Sequence, residues 1–472
     1  MAKINIHNTN KELFKNTSII AIGQISVKVV NFLLLPLYTA LLTKNEYGTV
    51  DLLGTYSTVI GVVVGLQMNQ AVFRFLVTCR DNSSQTKKVT STTLYSLFIV
   101  IIIYTIIFIA IQPLIVVEYK WYLLVHVYAS LLLLTTSGIA RGLGYNTDYA
   151  IANFISATVT IILNVLFLAV LHLGVSMMLW AYILGPLIGS LVLFFKCKIY
   201  SFLSLKWFSR KSLKELLSYS LPLIPNELSW SIIHASDRMV VSHFISVAAN
   251  GLIAVASKFS LIYTTIFGIF NISWTEQVVL HYKDEGGDQY INDMFDKMIT
   301  FFGSFAVMII AYLPFFFNYL VDKNFSDSYQ LVPIYISSVF FNAIIGLVTS
   351  IYLVEKETTI VAISTTVAAT INLAVDLLLV NIIGVFAAPV SSLCGYLFVS
   401  VWRLIDINKR HCKIGIKKYK IAFLIAMLSF ACYSYYYKQI TLSIITAMII
   451  TISAVIVNFS FLKELKRIIK KD

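Results

Sequence analysis

Apolar stretches of helical length follow one another along almost the whole chain, joined by short polar links. Residues Ile99 to Ile111 and Ile444 to Val457 are almost unbroken apolar runs. A helix that crosses a bilayer needs roughly 20 mostly apolar residues. The pattern predicts such helices near 17–42, 50–73, 91–117, 121–140, 148–171, 174–195, 216–242, 250–279, 297–318, 329–353, 359–380, 384–405, 419–437 and 440–462. That is an all-α integral membrane protein with about 14 transmembrane helices, and its links leave no room for a folded soluble domain.

A second regularity lies above the helical one. Tyr47-Gly48-Thr49-Val50 opens the second predicted helix, and Asn250-Gly251-Leu252-Ile253 opens the eighth. Thr158-Val159 with Asn164 finds its counterpart in Thr366-Val367 with Asn372. The offsets are about 203 and 208 residues. Many transporters are built from such repeats. Six spans in each half give a parallel repeat: two six-helix bundles plus two C-terminal helices. The expected division is 1–195 for the first bundle, 196–214 for a basic connector, 215–408 for the second bundle, and 409–472 for the extra helices and tail.

Polar residues inside the spans fall at helical spacing. Gln24, Lys28 and Asn31 stand at i, i+4 and i+7, and Gln67, Gln70 and Arg74 at i, i+3 and i+7. Glu227, Ser231, His234 and Arg238 share a face, as do Lys258 and Glu276 on the next helix. Asn153, Thr160 and Asn164 repeat the spacing of Thr365, Asn372 and Asp376. The striped helices are those that the repeat makes equivalent. An ionisable group at the bilayer centre costs about 2.5–3.5 kcal/mol, so Lys28, Arg238 and Lys258 left against lipid would cost on the order of 8–10 kcal/mol. A shared wet passage relieves that cost. Snorkelling to the interface is the alternative for Arg238 and Lys258. Helix-end anchoring is the alternative for Arg74 and Arg141, and plain packing for His234. Glu227, Asp376 and Glu276 are candidates for proton or sodium coupling, or for neutralising a lysine.

Composition strengthens the membrane reading. Of 472 residues 58% are hydrophobic and 12% charged, against about 25% charged in soluble domains. The net charge of +13 suggests nucleic acid until its distribution is examined. With the N-terminus in the cytoplasm, the inside loops hold Arg80, Lys87 and Lys88, a cluster from Lys196 to Lys214, another from Lys409 to Lys420, and the tail from Lys463 onward. The outside loops hold Lys44, Lys120, Lys323 and Lys438. This is the positive-inside pattern with both termini inside, and it argues against a nucleic-acid partner. Cys79, Cys197, Cys394, Cys412 and Cys432 have no metal spacing and read as free thiols. Leu221-Pro222-Leu223-Ile224-Pro225 should kink the seventh span, with Pro36, Pro186 and Pro389 bending others. No phosphate-binding loop, zinc-protease or nucleophile-elbow motif occurs. The chain therefore reads as a transporter rather than an enzyme, with no cofactor and no metal.

Phe14-Lys15-Asn16-Thr17, Gly23-Gln24-Ile25-Ser26, Leu35-Pro36-Leu37-Tyr38-Thr39 and Glu46-Tyr47-Gly48 resemble the opening of bacterial lipopolysaccharide and capsule flippases. So do Gln70-Ala71-Val72-Phe73-Arg74-Phe75, Ala140-Arg141-Gly142, Ser220-Leu221-Pro222-Leu223-Ile224-Pro225, Ser236-Asp237-Arg238 and Ile272-Ser273-Trp274-Thr275-Glu276. These belong to the multidrug, oligosaccharidyl-lipid and polysaccharide exporter superfamily. The resemblance implies a substrate of undecaprenyl pyrophosphate bearing a short oligosaccharide, moved from the cytoplasmic to the outer leaflet of a bacterial plasma membrane. It gives anion binding to Lys28, Arg74, Arg141, Arg238 and Lys258, with Asn31 and Gln70 for sugar hydroxyls. Expected partners are the lipid-linked oligosaccharide, membrane lipid and a polysaccharide polymerase. A multidrug antiporter and a membrane polysaccharide polymerase stay open as alternatives.

Overall fold

A computed structural model describes residues 28, 32–80, 82–115, 117–282, 284–415, 417–437, 439–461 and 463. Among them lie the helices α1 (Leu35–Leu41), α2 (Lys44–Val64), α3 (Met68–Cys79), α4 (Ser83–Ile111), α5 (Lys120–Leu143), α6 (Asn146–Val165), α7 (Gly174–Lys196) and α8 (Arg210–Ser220). They continue with α9 (Ile224–Phe244), α10 (Val247–His281), α11 (Gly287–Leu320), α12 (Val332–Val354), α13 (Thr358–Ile383), α14 (Ala387–Arg410), α15 (Lys418–Tyr437) and α16 (Ile440–Val457). No strand occurs among the described residues. Ten helical stretches are long and apolar enough to cross a membrane, one of which, Thr358–Arg410, holds both α13 and α14. Helix α9 is not among them and carries Glu227, Asp237 and Arg238. The protein is an all-α membrane protein whose helix count agrees roughly with the expected 14; of the first expected span, 17–42, residues 28 and 32–42 are described.

Helix α4 shows what the membrane does to side-chain placement. Its buried positions include Thr86, Thr90, Ser91, Thr92 and Thr93, while Phe98, Ile103, Ile106 and Ile107 are exposed. Small hydroxyl residues let helices approach, and large aliphatics meet lipid.

The chain divides into two compact units: residues 1–42 with 49–235, and residues 43–48 with 236–472. In unit 1, α3 packs on α5 and α5 and α6 pack on α7. The approach of α3 to α5 depends on Gly138, where a Cβ would stand 2.7 Å from the Asn69 carbonyl oxygen. Residues 196–214 pack on this unit too: Cys197 and Ile199, with Leu216 just beyond, join the core formed by Ala71, Val72 and Leu76. In unit 2, α13 packs on α14, α10 and α14 pack on α12, and α15 and α16 pack on α11. Helix α15 is tied to α11 by an ion pair between Lys420 and Asp296 at 2.6 Å, and α16 by a hydrogen bond between Thr451 and Tyr312 at 2.8 Å.

Unit 2 also contains the repeat's most explicit mark. A Cβ at Gly48 would lie 2.0 Å from the Val247 oxygen, and one at Gly251 would lie 2.2 Å from the Lys44 oxygen. Each glycine faces the carbonyl four residues before its counterpart. Asn250 Nδ2 donates to the Gly48 oxygen at 2.9 Å. The first turns of α2 and α10 thus nest reciprocally, and only glycine fits at either position.

Two expected spans are cut. Instead of one helix over 50–73, α2 stops at Val64 and α3 starts at Met68. Leu66 and Gln67 take left-handed conformations, with φ of 50° and 51°, at about 1–2 kcal/mol each. Gly65 permits the break by packing on Leu131, 2.7 Å from a built Cβ. Instead of one helix over 216–242, α8 ends at Ser220, Leu221–Leu223 forms a 3-10 turn and α9 begins at Ile224. Pro222 and Pro225 lack the N–H groups that a continuous helix would need there.

Candidate functional site

The α2–α3 break opens onto a cavity of about 450 Å³ within unit 1. Its wall includes Ser57 and Thr58 from α2, Gln67 at the break, Gln70 from α3, His126 from α5 and Glu227 from α9. The sequence placed Gln67 and Gln70 on one stripe and Glu227 on another; the structure brings all three to one cavity. Ser57 is 3% exposed and its Oγ has no hydrogen-bond partner. His126 stacks on Tyr122, ring centroids 4.8 Å apart, and its buried Nδ1 is likewise unpartnered. Backbone strain and unmet polar atoms converge here, as they do at functional sites.

Beyond Gln70, toward Cys79, the character changes to cationic. The Arg74 guanidinium lies 5.1 Å from the Tyr219 ring centroid. That of Arg141 lies 4.5 Å from Phe73 and 5.2 Å from Tyr149. Arg141 Nε is buried without a hydrogen-bond partner. Among the described residues neither arginine pairs with a carboxylate. Arg80 acts differently, on backbone alone. Its Nε and Nη2 donate to the Gly142 and Arg141 carbonyls at 2.6 and 2.8 Å, closing the end of α5. Face-stacked guanidiniums keep their N–H forks available for an anion.

Unit 2 holds a different polar interior. Asp237, 3% exposed, accepts from Asn372 Nδ2 at 3.1 Å, Ser391 Oγ at 3.2 Å and Ser392 Oγ at 2.8 Å. Ser236 Oγ donates to Asn372 Oδ1 at 2.5 Å. Asp376, one turn beyond Asn372, is fully buried, and both its carboxylate oxygens lack a partner. It lies near enough to Asp237 for the two charges to repel. A buried carboxylate that meets no donor is costly unless a proton or a cation neutralises it. Oxygen donors without nitrogen or sulfur suit a hard cation, and no group of three His, Cys, Asp or Glu side chains gathers among the described residues.

The remaining candidates are dispersed. Arg238 Nη2 donates to Ser257 Oγ at 3.3 Å, beside half-buried Lys258, so the structure sets these two cations on adjoining helices. Glu276 is exposed on α10. Lys28 is exposed. Gln24 and Asn31 lie outside the described residues. The other stripes pack inside their own units: Asn164 Nδ2 donates to Tyr38 OH at 3.1 Å, and Asn153 Nδ2 to the Tyr149 carbonyl at 2.9 Å.

Sequence reasoning missed three features. The Ser391-Ser392 pair reads as small packing residues until Asp237 is seen against it. His126 sits alone in an apolar run. Arg403, 1% exposed, is held by Ser364 Oγ at 2.8 Å, Thr349 Oγ1 at 2.7 Å, Thr365 Oγ1 at 3.1 Å and the Val361 carbonyl at 3.0 Å. Its nearness to Asp406 and Arg410 makes it resemble a helix-end anchor. The hydroxyls one and two spans earlier were the available signal.

The family model described as "Polysaccharide biosynthesis protein" matches residues 13–275. No curated protein matches the chain. Among solved structures, the lipid II flippase MurJ in an inward closed conformation is similar over 94% of this chain and 99% of its own, at 14% identity and a TM-score of 0.69. An inward-facing multidrug resistance MATE family transporter of the MOP superfamily is similar over 82% of this chain and 98% of its own, at 15% identity and a TM-score of 0.63. A MOP superfamily transporter from Pyrococcus furiosus shares 17% identity over 84% of this chain and 96% of its own, with a TM-score of 0.51. At these identities the likeness establishes the fold.

Proposed function

Because the chain belongs to the polysaccharide biosynthesis protein family, we propose that it is a flippase for an undecaprenyl-pyrophosphate-linked oligosaccharide repeat unit. It carries that unit from the cytoplasmic to the outer leaflet of a bacterial plasma membrane, for assembly of O-antigen, capsule or exopolysaccharide. Both termini lie in the cytoplasm, and a polysaccharide polymerase consumes the product. The two bundles, 1–195 and 215–408, alternate access between the leaflets.

The observation that carries this reading is the pair of stacked arginines, Arg74 and Arg141, whose guanidiniums meet aromatic rings and no carboxylate among the described residues. A pyrophosphate crossing a membrane must exchange its hydration for charged donors. Lys28, Arg238 and Lys258 supply further positive charge, and Asn31 and Gln70 meet hydroxyls. The polyprenyl tail stays in lipid. Coupling to an ion falls to Asp376, with Asp237 and Asn372 as its neighbours; Glu227 and Glu276 are the other candidates. Burial with two unmet oxygens gives Asp376 the strongest claim among the three.

The test is translocation of a fluorescent undecaprenyl-pyrophosphate-linked N-acetylhexosamine in vesicles containing the pure protein. Wild type should move it, and the Arg74→Gln, Arg141→Gln double variant should do so at least tenfold more slowly. The carboxylate of Glu227 in the cavity wall favours one second reading, export of organic cations. Ethidium export without lipid translocation would replace the first reading with that one.

A further inference from the structure

The cavity at the α2–α3 break and the two arginines are not equivalent parts of one anion site. Among the described residues the cavity wall holds no lysine and no arginine. It holds amides at Gln67 and Gln70, hydroxyls at Ser57 and Thr58, the imidazole of His126 and the carboxylate of Glu227. Its volume of about 450 Å³ lies within the range of ligand pockets, about 300–1,000 Å³. Ser57 Oγ and His126 Nδ1 are buried there without partners. A polar atom left so costs about 1–3 kcal/mol, which a ligand bearing both donors and acceptors would recover. An apolar cargo would leave these atoms orphaned. An anionic one would meet Glu227 with no cation among the described wall residues to offset it.

We infer that this cavity is a subsite for a neutral sugar, read through its hydroxyl and amide groups, and that it discriminates against an acidic sugar. The inference rests on the flippase reading and adds the chemistry of the sugar to it. Its location fits: Arg74 follows Gln70 by one turn on α3, about 6 Å along the axis. A sugar beside Gln70 therefore places its phosphate link toward Arg74. Glu227 accepts from hydroxyls on adjacent carbons or from an amide N–H, and repels a uronate carboxylate. The left-handed break at Leu66 and Gln67 occurs at the cavity wall, and broken transporter helices bind polar cargo.

The experiment is saturation-transfer NMR on the full chain in nanodiscs, with N,N′-diacetylchitobiose as the neutral probe and glucuronic acid as the acidic one. Transfer to the disaccharide is expected, with at least fivefold less to the uronate. Ser130→Trp, which fills the cavity, should abolish the transfer. Gln70→Met, which keeps volume and removes the amide, should reduce it at least fivefold and guards against misfolding of the tryptophan variant. Equal transfer to both sugars, or full transfer in both variants, overturns the inference. Disaccharide binding without lipid translocation in vesicles would remove the flippase reading and leave the sugar subsite. Translocation that both variants support at the wild-type rate would do the reverse.

Discussion

In unit 1 the polar side chains of α2, α3 and α5 surround a cavity of about 450 Å³, and two of their buried polar atoms meet nothing. In unit 2 those of α9, α13 and α14 close on one another: Asp237 alone accepts three hydrogen bonds from Asn372, Ser391 and Ser392. The first arrangement is open and has amides, hydroxyls and one carboxylate. The second is sealed, and its unmet group is a charge. Polar groups that wait for a large neutral ligand need space. A carboxylate that waits for a proton or a small cation needs only exclusion of bulk water. The two units thus hold two kinds of polar interior, which the proposed function assigns to cargo and to coupling.

The largest expected effect separates these roles. Asp376→Asn should cut translocation at least tenfold and abolish its response to imposed proton or sodium gradients. It should not lower the unfolding temperature, because it removes an uncompensated buried charge. Wild-type coupling in that variant would move the ion site elsewhere.

Next comes the framework of the sealed interior. Arg403→Ala takes a buried guanidinium from Ser364, Thr349 and Thr365 and leaves a cavity, for a loss of about 3 kcal/mol. Arg403→Met refills most of the volume and should lose less than about 1.5 kcal/mol. Urea or thermal unfolding compares them. Equal losses would show that the charge, not the packing, holds α12, α13 and α14 together.

The smallest effect has the opposite sign. Gln67→Gly relieves a left-handed non-glycine residue and should stabilise the chain by about 1 kcal/mol, while weakening diacetylchitobiose binding. A gain in stability with unchanged sugar binding would take Gln67 out of the cavity's function.

The spans and their repeat were legible because a membrane imposes one long apolar period, and Pro222 and Pro225 announced the kink before α9. The break at Leu66 was not. Gly61-Val62-Val63-Val64-Gly65-Leu66-Gln67 reads as continuing helix, and only the contact with Leu131 and the neighbouring helices stops it. Helical spacing put Asn372 and Asp376 on one face. It says nothing about which face meets another helix, so the serines that complete the cluster stayed invisible. The same limit hid the meeting of Gln70 with Glu227, which lie far apart in sequence and reach one cavity only through the packing of α3, α5 and α9 in unit 1.

Thiol accessibility tests the contrast between the two interiors most directly. In a background with the five native cysteines replaced by serine, Thr58→Cys reports on the cavity and Ser391→Cys on the cluster. A small water-soluble methanethiosulfonate should modify Thr58→Cys at least a hundredfold faster than Ser391→Cys, and diacetylchitobiose should slow the former alone. Equal rates at the two positions, or protection of neither, would contradict an open cargo interior in one unit and a sealed coupling interior in the other.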